Sequence, residues 1–287
     1  MDFTYWQAVV IGVIQGITEL FPISSLGHAI LIPAWLGGTF REFISTENQS
    51  YLLVTIAMHL SSSVALFIVF RKRWSRLIKG SLTAIADKNL QNTQFRVLSY
   101  ILIATIPVGI LGLAFDDYFQ SIFGSPKFSS IFLTVNGLIL IGAERLAKRD
   151  EIHELKDSDA EIDQRVNLRR AVVIGFGQSL ALFAGISRFG ITMSAGLLSK
   201  LNHSVASDFA FLLSLPVILG ASIVKLPELF TTSTNQIIGQ VIVGCIVSFI
   251  CTYISVTFLV KWFKTRTLNP FAIYCLVFGL LSFVRFA

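Results

Sequence analysis

Charged side chains are scarce in this sequence: they make up 14% of its 287 residues, while 54% of the residues are hydrophobic. Soluble domains carry about 25% charged residues, so the composition excludes an ordinary soluble globular protein. Cysteine is also rare. Cys245, Cys251 and Cys275 all lie in apolar runs, where we expect packing residues that indicate nothing about redox compartment.

Six long apolar runs predict an all-α polytopic membrane protein with six transmembrane helices. Each run is close to the roughly 20 residues that a helix needs to cross a bilayer. The runs cover residues 51–70, 96–115, 128–147, 206–225, 237–260 and 269–286. The N-terminal stretch MDFTYWQ lacks the basic region of a cleavable signal peptide, so we expect none.

The net charge of +6 is concentrated in a few loops. Residues 71–96 and 145–170 hold seven Lys or Arg each, and residues 261–266 hold three. The loops between them contain only Arg41, Lys127 and Lys225. Because loops rich in Lys and Arg stay on the cytoplasmic side, the charge indicates orientation and does not point to a nucleic-acid partner.

The loops that alternate with the basic ones are predicted to lie on the outer side, together with the C-terminus. These outer loops are residues 39–50, 116–127 and 226–236. Residues 144–170 also hold eight acidic side chains, and we expect a solvated cytoplasmic loop there, partly helical or disordered. Its middle part, residues 148–167, is predicted to be a charged linker within a single membrane domain.

A repeated motif occurs on the two sides of this linker. Residues 8–28, AVVIGVIQGITELFPISSLGH, align without gaps with residues 171–191, AVVIGFGQSLALFAGISRFGI, and nine of 21 positions are identical. The identities beyond the apolar ones are Gln15 with Gln178, Ser24 with Ser187 and Gly27 with Gly190. We therefore predict an internal duplication, with repeat one over about residues 5–147 and repeat two over about residues 168–287.

Each copy lies in an apolar stretch, at residues 6–38 and 168–200, that small and polar residues interrupt in the middle. Proline and glycine weaken helix interiors, and a following serine can cap a new helix. We therefore predict two re-entrant helical hairpins, folded back at residues 22–25 and 184–187. Three predicted spans, an odd number, separate the copies, so the hairpins enter from opposite sides in an inverted-topology repeat.

The first break carries side chains that suit chemistry on a phosphate. Gln15 and Glu19 are four residues apart and share a helix face, and Ser24, Ser25 and His28 follow at the start of the next half-helix. A carboxylate beside phosphate oxygens requires a cation such as Mg²⁺ between them. His28 is a candidate general base or nucleophile, and Ser25 is the nucleophile it would activate.

The second break offers Ser187, Arg188 and Thr192, which suit an anionic ligand. Helix N-termini bind phosphate through their free N–H groups, and arginine adds bidentate hydrogen bonds. An anionic ligand inside a membrane is most naturally a lipid phosphate. The simpler alternative is a structural Glu19–Arg188 ion pair, because charges inside membranes often pair with each other.

These motifs resemble the bacitracin-resistance type of undecaprenyl-diphosphate phosphatase. QGITELFPISSLGH is similar to the family motif (E/Q)GxTEFxPxSSxGH, and AGISRFGIT is similar to PGxSRSxxT. The likeness includes DFAFLLSLPVILGA and NPFAIYCLVFG and runs from about residue 5 to residue 285. The departures from the commoner residues of the motifs are Gln15, Ala184, Phe189 and Ile191.

The resemblance implies hydrolysis of undecaprenyl diphosphate, a C55 polyprenyl diphosphate, to undecaprenyl phosphate and phosphate. This reaction recycles the carrier lipid for peptidoglycan synthesis and gives bacitracin resistance. The implied catalytic residues are Glu19, Ser25, His28 and Arg188, with a metal-bound water as an alternative nucleophile. The implied substrate-binding residues are Gln15, Ser24, Ser187 and Thr192, and Gln15 and Glu19 would hold a divalent cation, Mg²⁺ or Ca²⁺.

The resemblance also implies a multi-pass protein of the bacterial cytoplasmic (inner) membrane whose site opens to the periplasm. Its partners would be the polyprenyl diphosphate lipid and the surrounding membrane lipids, and a homodimer is left open. A polyprenyl-phosphate transporter or flippase is an alternative, because inverted repeats with midplane sites are also a transporter architecture.

A lipid phosphatase of the phosphatidic-acid phosphatase type is a further alternative. That type requires a Lys-x6-Arg-Pro motif, which this sequence lacks, and no histidine follows Arg188 inside a predicted span. Two more polar residues stand in apolar spans. His59, beside three serines, is a candidate for lining the cavity, and Asn136 is predicted to form an interhelical hydrogen bond.

Overall fold

The computed structural model describes residues 3–43, 49–122, 124–147, 158–231 and 237–287. Within these ranges the chain is all-α and contains no β-strand. The helices are α1 (Tyr5–Thr18), α2 (Ser25–Leu36), α3 (Gly38–Phe43), α4 (Gln49–Ala86), α5 (Thr93–Ala114), α6 (Asp116–Ile122), α7 (Pro126–Leu146), α8 (Ser158–Arg165), α9 (Leu168–Gln178), α10 (Arg188–Leu198), α11 (His203–Thr231), α12 (Ile238–Trp262) and α13 (Asn269–Phe286).

Six of the described helices, α4, α5, α7, α11, α12 and α13, are long and apolar enough to cross a membrane, which confirms the six predicted spans. The largest difference is α4, which continues to Ala86 although the apolar run ends near residue 70. At 1.5 Å per residue its 38 residues make a helix of roughly 57 Å. Its basic C-terminal part therefore extends beyond a hydrocarbon core of about 30 Å.

Bulky apolar side chains are exposed along the outer surface of the bundle. Leu113 on α5 is 66% exposed, Ile254 on α12 is 62% exposed and Val284 on α13 is 81% exposed. An apolar surface this extensive is unfavourable in water but matches the hydrocarbon core of a bilayer. The structure is therefore that of a multi-pass membrane protein.

The charged segment between the two repeats differs from the predicted solvated loop. Residues 158–165 form α8, and the Asp159 carboxylate is fully buried between the guanidinium groups of Arg73 and Arg76 on α4. A buried carboxylate requires such partners, because an unpaired charge is costly away from water. The prediction of a solvated loop is wrong for this segment, and residues 148–157 of the predicted linker lie outside the described residues.

Each of the two interrupted stretches consists of two helices, as predicted. α1 ends at Thr18 and α2 begins at Ser25, and the segment between them is irregular. α9 ends at Gln178, a short 3-10 helix covers Ser179–Leu182, and α10 begins at Arg188. The predicted breaks therefore lie where the helices are interrupted.

Glycines bring α1 and α9 into backbone contact with long helices. A Cβ atom at Gly12 of α1 would lie 2.6 Å from the carbonyl oxygen of Gly244 on α12. A Cβ atom at Gly175 of α9 would lie 2.6 Å from the carbonyl oxygen of Ala104 on α5. Because Gly12 and Gly175 are aligned in the repeat, the same residue makes the same type of close contact in both halves.

Candidate active site

Ser24 joins the two irregular segments. Its Oγ accepts a hydrogen bond from the Gly27 N–H at 3.2 Å, which caps the N-terminus of α2. The same Oγ accepts a second hydrogen bond at 3.1 Å from the N–H of Gly185 in the other segment. A Cβ atom at Gly27 would lie 2.9 Å from the Gly185 Cα, so only glycine at this position allows the two segments to approach this closely.

Ser187 makes the corresponding contacts from the second segment. Its Oγ accepts a hydrogen bond from the Gly190 N–H at 3.1 Å, capping α10, and donates to the Phe21 carbonyl oxygen at 3.1 Å. The two serines are aligned in the repeat, and each caps its own helix and binds the other segment. Both therefore hold the segments together, and the substrate-binding roles predicted for them stay predictions.

Asn136 on α7 fixes the two segments from one side. Its Nδ2 donates to the Pro22 carbonyl oxygen at 3.0 Å, and its Oδ1 accepts from the Ser187 N–H at 3.0 Å. Nδ2 also lies 3.3 Å from Cys275 Sγ on α13, as an interhelical bond requires. The side chain is fully buried, so its main role, which the sequence did not indicate, is to satisfy backbone groups of both segments.

The Glu19 carboxylate is buried and surrounded by polar side chains. Its Oε2 accepts hydrogen bonds from the Gln15 amide at 2.7 Å and from the Ser25 hydroxyl at 2.6 Å. Nε2 of His59 lies 3.3 Å from the same oxygen, and Nδ1 of His59 lies 2.8 Å from the Thr55 carbonyl oxygen. His59 therefore reaches the site from α4, as its position among apolar residues predicted.

Arg188 lies on the other side of Glu19, at the first turn of α10. Its Nη1 is 3.6 Å from Glu19 Oε1, which is within ion-pair distance but too long for a hydrogen bond. This buried Nη1 and the buried Oγ1 of Thr192 have no hydrogen-bond partner among the described residues. Buried polar groups without a partner cost about 1–3 kcal/mol each, so a ligand that supplies hydrogen-bond acceptors to these two groups would be stabilised.

His28 lies in the same region, and both of its ring nitrogens have partners other than Ser25. Its Nδ1 is 2.7 Å from the Ser24 carbonyl oxygen and its Nε2 is 2.7 Å from the Tyr274 hydroxyl on α13. Because a carbonyl oxygen can only accept, Nδ1 carries the proton and Nε2 accepts from Tyr274. The structure therefore brings Ser25 to Glu19 and brings His28 to Tyr274, a residue that the sequence did not single out.

Two of the four residues that depart from the family motifs, Phe189 and Gln15, have clear positions relative to this site. Phe189 is fully buried, and its ring packs on Phe211 at 4.5 Å and on Phe263 at 5.4 Å between centroids. Its side chain therefore belongs to the core and not to the surroundings of Arg188. Gln15 remains beside Glu19, where its amide replaces a second carboxylate.

The side-chain oxygens of Gln15 and Glu19 suit a divalent cation only when a bound ligand supplies further oxygens. Among the described residues, no group of three or more His, Cys, Asp or Glu side chains is arranged to hold a metal ion. Glu19 and Gln15 offer carboxylate and amide oxygens, which Mg²⁺ and Ca²⁺ accept together with phosphate and water ligands. These residues therefore suit a cation shared with a phosphate group rather than one enclosed by protein.

Comparisons with known proteins agree with the resemblance seen in the motifs. A sequence model of the bacitracin resistance protein BacA family matches residues 8–281. Undecaprenyl-diphosphatase 2 of Frankia alni is 41% identical, with 100% of this chain and 99% of the relative aligned. The undecaprenyl-diphosphatase of Mycolicibacterium paratuberculosis is 41% identical over 99% of this chain and 98% of the relative. Undecaprenyl-diphosphatase 2 of Chromobacterium violaceum is 35% identical over 96% of both chains. This chain therefore belongs to the bacitracin resistance protein BacA family.

Proposed function

We propose that this protein hydrolyses undecaprenyl diphosphate to undecaprenyl phosphate and inorganic phosphate. The observation that carries the proposal is a serine hydroxyl hydrogen-bonded to a buried carboxylate, Ser25 to Glu19 at 2.6 Å, beside an arginine with an unsatisfied donor. A nucleophile, a base and an anion-binding group are the minimum that transfer of a phosphoryl group requires. The names of the relatives indicate the same reaction.

In this proposal Ser25 attacks the terminal phosphorus of the diphosphate. A bond forms between Ser25 Oγ and phosphorus, the bond from that phosphorus to the bridging oxygen breaks, and undecaprenyl phosphate leaves. Glu19 accepts the hydroxyl proton, since its Oε2 already accepts that hydrogen bond. Water then attacks the phosphoserine, and phosphate is released with one water consumed and the serine restored.

Arg188 and Thr192 would bind the diphosphate during this reaction. The N-terminus of α10, where both residues lie, presents N–H groups toward the same region. When bound, Mg²⁺ or Ca²⁺ would add positive charge at the phosphate oxygens, held by Glu19 and by the amide oxygen of Gln15. His28 holds the Ser24 carbonyl oxygen and thereby the loop that precedes Ser25. The catalytic role of His28 stays a prediction.

We further propose that the two interrupted stretches are re-entrant hairpins of an inverted repeat. At 1.5 Å per residue, α1 and α2 are roughly 21 Å and 18 Å long, and each is too short to cross a core of about 30 Å. Ser24 accepts a hydrogen bond from the second segment and Ser187 donates one to the first. These contacts from two aligned serines support a pseudo-two-fold relation between the repeats.

The packing directions support the inversion. Gly12 and Gly16 of α1 lie against Gly244 and Ser248 of α12, so these two helices are parallel. α12 is in turn parallel to α4, since a Cβ atom at Gly244 would meet Met58 and Thr252 donates to Ser62. In this proposal α1 therefore runs in the direction of α4.

The first helix of the second repeat, α9, runs in the direction opposite to α1. In α9, Gly175 lies against Ala104, and Leu182 of the following 3-10 helix lies near Gly112, so α9 is parallel to α5. α5 follows α4 through a short connection and runs back along it, with Gly80 beside Gln94. α1 and α9 would then enter from opposite sides. With the basic loops in the cytoplasm, α1 enters from the periplasmic side of a bacterial inner membrane; the homodimer stays a prediction.

A phosphate-release assay tests the proposed function. Protein purified in detergent should release phosphate from undecaprenyl diphosphate when Mg²⁺ or Ca²⁺ is present, and a chelator should suppress this release. Short-chain polyprenyl diphosphates measured in parallel define the chain-length preference. If the protein binds the lipid and releases no phosphate with any divalent cation, the transporter alternative replaces this proposal.

A further inference from the structure

A cavity lies at the end of the bundle where α2 and α13 end and α7 begins. Its volume is about 590 Å³, which is within the range of small-molecule binding sites. Ala34 of α2 lines this cavity, and it follows Ser25 by nine residues, or roughly 14 Å along the helix axis. The cavity is therefore distinct from the cluster of residues around Glu19.

Three cationic side chains from three different helices line the cavity. They are Arg41 of α3, Lys127 of α7 and Arg285 of α13. All three are exposed, and the described residues that line the cavity include no acidic side chain. Like charges around one cavity repel each other and raise the local potential, so an anion that binds between them is stabilised.

Arg285 is held in an orientation that suits an anion. Its guanidinium carbon lies 4.3 Å from the centroid of the Trp35 ring, a cation–π contact. The Trp35 indole is itself fixed, because its Nε1 donates to Ser282 Oγ at 2.9 Å. A guanidinium group stacked on a ring directs its N–H groups sideways, where they can bind two phosphate oxygens at once.

The helix ends around the cavity add both positive and negative electrostatic potential. The first turn of α7 adds the positive end of a helix dipole. Pro126 has no N–H, and the Phe128 N–H already donates to Ser125 Oγ. The C-terminal ends of α2 and α13 bring carbonyl groups of the opposite polarity. Ala287 after α13 also lines the cavity, and its carboxylate offsets one of the three positive charges. The positive potential of the cavity therefore depends on the three cationic side chains.

We propose that this cavity is a second anion site, which binds a phosphate-bearing group at the end of the bundle opposite the basic part of α4. The phosphate could belong to a free ion, such as inorganic phosphate or diphosphate, or to the headgroup of an anionic lipid. The chemistry of recognition is the same for both sources, namely charge-assisted hydrogen bonds from two arginines and one lysine.

Binding of radiolabelled inorganic diphosphate to the full chain in detergent tests this site. The variant Arg41→Gln/Lys127→Gln/Arg285→Gln should bind one diphosphate fewer per chain than the wild type. The matched control is Lys72→Gln/Lys264→Gln/Arg266→Gln, which removes three exposed cations elsewhere and should leave the binding unchanged. If both triple variants bind as the wild type does, or lose binding equally, the proposal is wrong.

Two further measurements keep the test decisive. If the cavity triple variant fails to fold, Lys127→Gln alone should weaken diphosphate binding at this site about tenfold, and unchanged binding would overturn the proposal.

In nanodiscs, phosphatidylglycerol should displace the labelled diphosphate from the cavity if a lipid headgroup binds there, whereas phosphatidylcholine should not. Retention of diphosphate in both kinds of nanodisc would identify a site for free phosphate. A chain that binds diphosphate here but releases no phosphate from the lipid would contradict only the proposed function.

Discussion

The Ser25 hydroxyl donates a hydrogen bond of 2.6 Å to the carboxylate of Glu19, six residues earlier in the chain. The turn between α1 and α2 makes this contact possible, because it brings the C-terminal end of one helix next to the first residue of the other. In the proposed mechanism Glu19 therefore accepts the serine proton, whereas the sequence had suggested His28. The proposed chemistry depends most directly on this carboxylate.

Replacing Glu19 by glutamine should lower kcat for phosphate release by about 10²- to 10⁴-fold, which is the usual contribution of a general base. The amide keeps the size of the side chain but cannot accept the serine proton. Glu42→Gln changes an exposed glutamate of α3 and serves as the control. Equal rates for Glu19→Gln and the wild type would exclude Glu19 as the base.

Replacing Arg188 by alanine should raise KM for undecaprenyl diphosphate roughly 10- to 150-fold, since hydrogen bonds to charged groups contribute about 1.5–3 kcal/mol. Arg188→Lys keeps the charge but lacks the two parallel donors, so we expect an intermediate KM. Arg169→Ala removes an exposed arginine of α9 and should leave KM unchanged. An unaltered KM in Arg188→Ala would leave the structural ion pair with Glu19 as its role.

Replacing His59 by phenylalanine should lower kcat about tenfold, or about 1.4 kcal/mol, because an apolar ring replaces the polar nitrogen that lies 3.3 Å from the Glu19 carboxylate. His59→Gln should lose less, since its amide can donate to the carboxylate. His203 provides a matched control, as it also faces a carboxylate, with Nε2 at 3.0 Å from Glu144. If His203→Gln reduced kcat as much as His59→Phe, the effect would reflect general stability and not the site.

Replacing Gly185 by alanine should lower the melting temperature in detergent and reduce the folded yield. Gly185 has a φ of +122°, and a Cβ atom there would lie 2.6 Å from the Ser129 carbonyl oxygen. Strained backbone of this kind costs about 1–3 kcal/mol, and the clash adds to that cost. Gly142→Ala is the control, because it lies in α7 with open space around it and should be neutral or stabilising. Equal melting temperatures would show that the second segment does not need this close contact with α7.

Cysteine labelling in intact cells should establish the orientation of the chain. Asp117→Cys, in α6, should react with a membrane-impermeant reagent from outside, and Lys88→Cys should react only after permeabilisation. Both positions are exposed. The wild-type chain, with its cysteines inside helices α12 and α13, gives the background signal. Labelling with the reverse accessibility would overturn the proposed periplasmic opening while leaving the fold unchanged.

Much of the fold followed from the sequence because the relevant signals are local. An apolar run of about 20 residues predicts a spanning helix wherever it occurs, and all six predicted spans are helices. Pro22 and Gly185 weaken helices irrespective of their surroundings, so the two interruptions were also predictable. The solvated loop was wrong at Asp159, because its burial depends on Arg73 and Arg76 of a helix more than 80 residues away.

The composition of the candidate site was likewise determined by the sequence, whereas its pairings were decided by tertiary structure. Residue types and their spacing placed Glu19, Ser25, His28 and Arg188 near two breaks, but spacing cannot say which atoms come within 3 Å of each other. His28 binds Tyr274, 246 residues away, and Glu19 accepts a hydrogen bond from Ser25 through a local turn. A hydrogen bond depends on distance and direction to a few tenths of an ångström, and the packing of all the helices together sets both quantities.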